Sequence, residues 1–100
     1  MAKYVFGPGN KYWNPANMEY NMMFIRSQEL YSDAIFKETG RLTFDLVLNN
    51  IGIPIDPKMP FTGWRKGIGD DFVGFGIKDY NPDNIDPNVG IEMTFNCLEV

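Results

Sequence analysis

Met18-Glu-Tyr-Asn-Met-Met-Phe-Ile-Arg-Ser-Gln-Glu-Leu-Tyr-Ser-Asp-Ala-Ile-Phe-Lys-Glu38 decides the fold. The stretch holds no glycine or proline, and Gly40 follows as a C-terminal stop, so it reads as one long helix. Asn14-Pro15 makes a good helix start, with Asn17 as a competing cap one turn later. Tyr20, Met23, Phe24, Ser27, Leu30, Tyr31, Ala34 and Ile35 recur at three- and four-residue spacing, and that spacing predicts the buried face. Met22, Ile25 and Phe36 fall off this stripe. They are expected to widen the apolar arc and to be covered by a second element or another subunit. Asp33 and Lys37 stand four apart in the favourable order.

Downstream, residues 41–51 fit two patterns. Leu42, Phe44, Leu46 and Leu48 alternate as in a strand. Phe44, Val47, Leu48 and Ile51 follow helical spacing, and Thr43 and Gly52 sit where caps belong, which favours a short helix. Pro54, Pro57 and Pro60 suit an extended path. Strands are expected at 63–66, at 72–77 (the clearest) and at 91–98, where Ile91, Met93, Phe95 and Cys97 point one way. Residues 67–71 read as a turn and 79–88 as a polar loop. Gly74 and Gly76 are expected to pack under Trp64 or another aromatic.

Upstream, residues 1–6 alternate weakly, and Gly7-Pro8-Gly9-Asn10 breaks any regular element. Tyr12 and Trp13 follow in this breaker-rich arm. Such large aromatics are buried either on the domain itself or on a partner, for which Trp and Tyr are favoured anchors. The expected architecture is α+β: one long helix and a short second helix packed on a small antiparallel sheet. The 100 residues form a single domain, with an aromatic arm at 1–14, a helical part at 15–52 and a sheet part at 63–100.

Composition narrows the chemistry. The chain has no histidine and one cysteine, Cys97. That removes the Ser-His-Asp triad, the Cys-His pair and histidine- or cysteine-rich zinc sites. It also removes an internal disulfide. Cys97 lies on the apolar side of its strand and reads as a buried thiol. No catalytic residue, metal or cofactor is expected. Asp79-x-Asn81-x-Asp83 opens like a calcium loop, but Asn84 stands where glycine belongs and Gly90 where a bidentate glutamate belongs. Turn chemistry accounts for the segment, with a weak metal site as the alternative. Gly67-x-Gly69 and Gly74-x-Gly76 complete no phosphate loop.

Net charge is −4, unevenly placed. Residues 1–66 carry eight basic and six acidic side chains, whereas residues 67–100 carry Lys78 against seven carboxylates. An acidic third repels phosphate backbones, so direct nucleic-acid binding is not expected. The longest apolar run, Met22–Ile25, is far below the ~20 residues that span a bilayer. The N-terminal stretch does not read as a signal peptide.

Residues 19–52 and the two strands after them resemble small phage and prophage proteins of Gram-positive bacteria with no known activity. The motifs are Phe24-Ile-Arg-Ser-Gln-Glu-Leu-Tyr31, the break Thr39-Gly40, Leu42-Thr-Phe-Asp-Leu-Val47 ending in Ile51-Gly52, then Gly63-Trp64 and Gly69-Asp-Asp-Phe-Val-Gly-Phe-Gly-Ile77. The resemblance covers about sixty residues and implies a viral or mobile-element origin. It names no site.

Function is therefore expected from contact with another protein, a copy of itself or a phage or host protein, in the bacterial cytoplasm or in the virion. Candidate contact residues are Tyr12, Trp13, Met22, Ile25 and Phe36. An alternative reading is an acidic inhibitor of a basic, nucleic-acid-binding host defence enzyme, with Asp70, Asp71, Asp79, Asp83 and Asp86 standing in for phosphates.

Overall fold

A computed structural model describes residues 2–58 and 61–99, and Met59 and Pro60 lie outside the described residues. The order is β1 (Ala2–Phe6), α1 (Met18–Thr39), β2 (Arg41–Thr43), α2 (Phe44–Asn50), β3 (Thr62–Arg65), a short 3₁₀ turn (Pro82–Asn84), β4 (Ile91–Phe95) and β5 (Leu98–Glu99). The fold is α+β.

Asn17, not Asn14, caps α1: its side-chain oxygen accepts from the Tyr20 N–H. Asn14 is drawn away by Asn21, whose side chain is bonded to the Asn14 backbone N–H and C=O at 2.8 and 2.7 Å. Gly40 ends the helix, donating its N–H to the Phe36 carbonyl. Residues 41–50 satisfy both sequence patterns in turn. Leu42 pairs with Trp64 across β2 and β3, and α2 then buries Phe44, Val47 and Leu48 with Ile51 just behind.

Where one sheet was expected there are two. β1 pairs antiparallel with β4, from Ala2 opposite Phe95 to Phe6 opposite Ile91. β2, β3 and β5 form the other. The chain passes from one to the other at Asn96–Cys97, between β4 and β5. The aromatic core fills the space around that passage, with Phe95 edge-on to Phe44 and tilted against Phe75 at ring separations of 5.0 and 4.8 Å.

The segment expected to be the clearest strand, 72–77, forms no regular strand and contributes a single isolated bridge, Ile77 to Met93. On its β4 side it makes spaced bonds: Lys78 N–H to Glu92 O, Thr94 N–H to Gly76 O and Asn96 N–H to Gly74 O. Gly76 prevents a straight ladder. Its φ is +57°, and a Cβ there would lie 2.0 Å from the Thr94 carbonyl oxygen. Close approach to the Thr94 backbone, rather than packing under Trp64, explains this glycine.

The N-terminal arm folds back. Trp13 is only 9% exposed and sits edge-on to Phe6 at 5.5 Å. It is a core residue and not a surface anchor, because the Gly7–Asn10 turn brings it over β1. Asn10 secures that turn through a 2.8 Å bond to the Ile51 carbonyl. Tyr12 remains part-exposed and rests on Phe24.

Candidate interaction surface

Of the stripe that apolar spacing predicts as buried, only Phe24 and Ile35 pack, part-buried, against the core; the rest faces outward and the fully buried face lies on the opposite side. Met22, Ile25 and Phe36 are core residues, with Asn21 and Ser32 buried beside them. They are therefore not a spare arc awaiting a partner. Polar Asn21 and Ser32 on the inner face disguise it in the sequence, and apolar side chains on the outer face imitate a core stripe. Asn21 is inside because it ties the Asn14 loop down.

The outer face carries Tyr20, Met23, Leu30 and Tyr31, which are 47, 70, 62 and 56% exposed. Ser27, Ala34 and Lys37 are exposed among them. Positions 20, 23, 27, 30, 34 and 37 alternate steps of three and four. That places them in one narrow seam along a helix, diametrically opposite Ile25. Single exposed apolar residues are ordinary, whereas a contiguous row of them marks a contact surface.

One flank of α1 is fixed by carboxylates. Glu29 accepts the Phe75 N–H and Asp33 the Val73 N–H, at 2.8 and 2.9 Å. These two side chains complete the free edge of 72–77 as a neighbouring strand would. Burial pushes the Asp33 carboxyl up, but the Lys37 ammonium at 2.8 Å and the Val73 N–H outweigh it and hold it below its ordinary value. The Lys37 ammonium is pushed up by Asp33, with Asp71 adding to the effect. Glu29 and Asp33 line an open cleft of about 510 Å³ with Leu30, Asp70, Phe72 and Tyr80. The Arg26 guanidinium lies over the Tyr80 ring at 4.8 Å.

Asn96 closes the other side of the cleft and uses its whole amide. Its oxygen accepts from Trp64 Nε1 at 2.7 Å and from the Gly74 N–H at 2.8 Å. Its nitrogen donates to Asp70 Oδ2 at 3.0 Å and to the Phe72 carbonyl at 2.9 Å. The sequence reading missed this residue. Its one signal is a polar amide between buried Phe95 and Cys97, where an alternating strand gives way to a corner.

Several of the acidic residues are engaged within the chain. All five aspartates are exposed, but several have local work. Asp70 holds Asn96. Asp79 accepts from the Asn81 N–H and the Asn84 amide, and Asp86 from the Asn88 N–H. Those bonds to Asn81 and then Asn84 hold the Asp79 carboxyl below its usual range. The segment that opens like a calcium loop is thus a chain of side-chain-capped turns. Among the described residues no three of His, Cys, Asp and Glu converge to hold a metal ion, and no helix is long and apolar enough to cross a membrane. Cys97 is buried as expected, although the strand expected at 91–98 ends at Phe95 and Cys97 lies in the corner between β4 and β5.

No family model matches the chain, and neither does any curated protein or solved structure. The resemblance to phage proteins therefore stands on the quoted motifs alone.

Proposed function

We propose that this chain is a non-enzymatic protein–protein interaction protein of phage or prophage type, an accessory of the particle or an adaptor in the host cell. One observation carries the reading: the outer face of α1 exposes Tyr20, Met23, Leu30 and Tyr31 while its inner face already completes the core. Exposing Met23, Leu30, Tyr20 and Tyr31 to water is unfavourable by roughly 25 cal/mol per Å² of apolar surface, and a protein surface laid over them removes that penalty. The absence of imidazole and the burial of the one thiol support contact rather than chemistry.

A photo-crosslinking amino acid in place of Leu30, in cells that produce the protein, tests it. The expected result is a discrete crosslinked protein species that is missing when the probe replaces Ile25. No crosslink from position 30 overturns the reading.

A second reading, an acidic inhibitor of a basic protein, draws support from the exposure of Asp70, Asp71, Asp79, Asp83 and Asp86 on a segment of net charge −6. It requires salt-sensitive binding. Asp71→Asn with Asp83→Asn leaving affinity for a basic partner unchanged refutes it.

A further inference from the structure

We infer that the β2–β3 pair carries a binding site for a small phosphate monoester joined to a flat ring, of nucleoside monophosphate type, with Arg41 and Arg65 on the phosphate and Phe61 against the ring. The inference is independent of the exposed face of α1 and of the interaction reading above.

The register sets two like charges against each other. Lys66 donates its N–H to the Gly40 carbonyl at 2.8 Å. Arg41 and Arg65, one step along the ladder, therefore form a pair without mutual hydrogen bonds. Opposite side chains come closest at such a pair, and like charges there are unfavourable. Both arginines are exposed. Among the described residues the ion pairs are Arg26–Glu29, Lys37–Asp33 and Lys78–Glu92, and the cation–ring contacts involve Lys11 and Arg26. Neither Arg41 nor Arg65 is thus held by a carboxylate or a ring. A local choice that costs stability without compensation inside the chain belongs to a functional site.

The chemistry of the pair selects the ligand. A carboxylate carries one charge and is satisfied by one guanidinium fork. A phosphate monoester carries close to two charges near neutral pH and three acceptor oxygens. It accepts from both arginines at once and turns their repulsion into attraction. Beside them lies a groove of about 350 Å³, lined also by Leu42, Thr43, Phe61 and Trp64. That volume stands at the small end of ligand sites, which span roughly 300–1,000 Å³. Phe61 is 79% exposed and offers a ring for a flat group to stack on. Thr43 and Phe61 also border a neighbouring groove that holds Asp45 and Asp56. Those carboxylates repel an anion, so the phosphate sits at the arginine end and the ring at Phe61. The seven carboxylates of residues 67–100 oppose a long polyanion, which favours a ligand with a single phosphate.

Thermal unfolding and calorimetric titration of the full chain with adenosine monophosphate, inorganic phosphate and adenosine, at matched ionic strength, test it. A dissociation constant of about 1 mM is expected, and it raises the melting temperature by roughly 5–10 °C at about 10 mM adenosine monophosphate. Inorganic phosphate binds about threefold more weakly or worse, for want of the stacked ring, and adenosine gives no shift. Arg41→Gln and Arg65→Gln each lose roughly tenfold in affinity. Without ligand, each variant melts about 1–3 °C above wild type, because the repulsion is gone. A merely structural role for these arginines predicts lower melting instead. Phe61→Ala reduces the nucleotide to the affinity of inorganic phosphate and leaves phosphate binding unchanged. Four results each overturn the inference: no shift with adenosine monophosphate, adenosine as effective as its monophosphate, both glutamine variants binding as tightly as wild type, or a larger shift from hexaglutamate or a single-stranded oligonucleotide.

Discussion

Replacing Asn96 by alanine removes all four hydrogen bonds of one amide. Trp64 is almost wholly buried, so its indole N–H has no water to turn to. An orphaned buried donor costs about 1–3 kcal/mol. The Gly74 N–H and Phe72 carbonyl line the open cleft and recover part of their loss from water, which adds roughly 1 kcal/mol between them. The sum is about 2–4 kcal/mol, a large share of the ~5–15 kcal/mol that holds a domain folded. At ~4–8 °C per kcal/mol it lowers the melting temperature by roughly 10–25 °C. Thermal and urea unfolding followed by circular dichroism measure it. Asn96→Asp is the informative companion. It keeps acceptors for Trp64 and Gly74, loses both donors and sets a second carboxylate beside Asp70, so its stability at neutral pH falls between wild type and Asn96→Ala. An Asn96→Ala protein within about 0.5 kcal/mol of wild type would refute the claim that this amide locks the corner between the sheets.

Three further outcomes are expected. Gly76→Ala destabilises by about 3 kcal/mol or more, since the new methyl would meet the Thr94 carbonyl at 2.0 Å. Gly67→Ala, also at positive φ but with nothing within 4 Å, costs only about 1–2 kcal/mol by the same unfolding assay. The Asp33 carboxyl is held below its ordinary 3.8, so the stability it provides is fully present above that value and is lost as pH falls through its lower folded value. A melting series from neutral pH down to about 2.5 should therefore decline less steeply in Asp33→Asn than in wild type, and an identical decline contradicts this assignment. Cys97 is buried, so a thiol reagent reacts slowly with the native chain and promptly in urea. Fast native labelling contradicts its placement.

Much of the fold is legible where one local pattern has no competitor. Phe44, Val47, Leu48 and Ile51 share one side of a short helix, and Ile91, Met93, Phe95 and Cys97 alternate inward, because burial of each set follows directly from helical or strand period. The long helix is legible in extent but not in orientation. Both of its faces carry apolar side chains, and the choice between them is made by Asn21, a polar residue whose partner lies in the preceding loop. The 72–77 segment fails as a strand for a related reason. Its outer edge is completed by Glu29 and Asp33 from a helix about forty residues away, and such pairings leave no local trace. The apolar spacing of the outer face of α1 is visible in the sequence but its destination is not: periodicity reports that a face is apolar, not whether the chain's own core or another surface covers it.

Neighbouring methionines supply the most direct test of the claim that this face is used. Met22 and Met23 are adjacent in sequence, one 6% and the other 70% exposed. Oxidative footprinting read out by mass spectrometry compares their sulfoxide formation in the dilute purified chain and inside producing cells. Rapid oxidation of Met23 in the dilute chain, with several-fold protection in cells and Met22 slow in both, is the predicted result. Equal oxidation of Met23 in both settings would contradict the account.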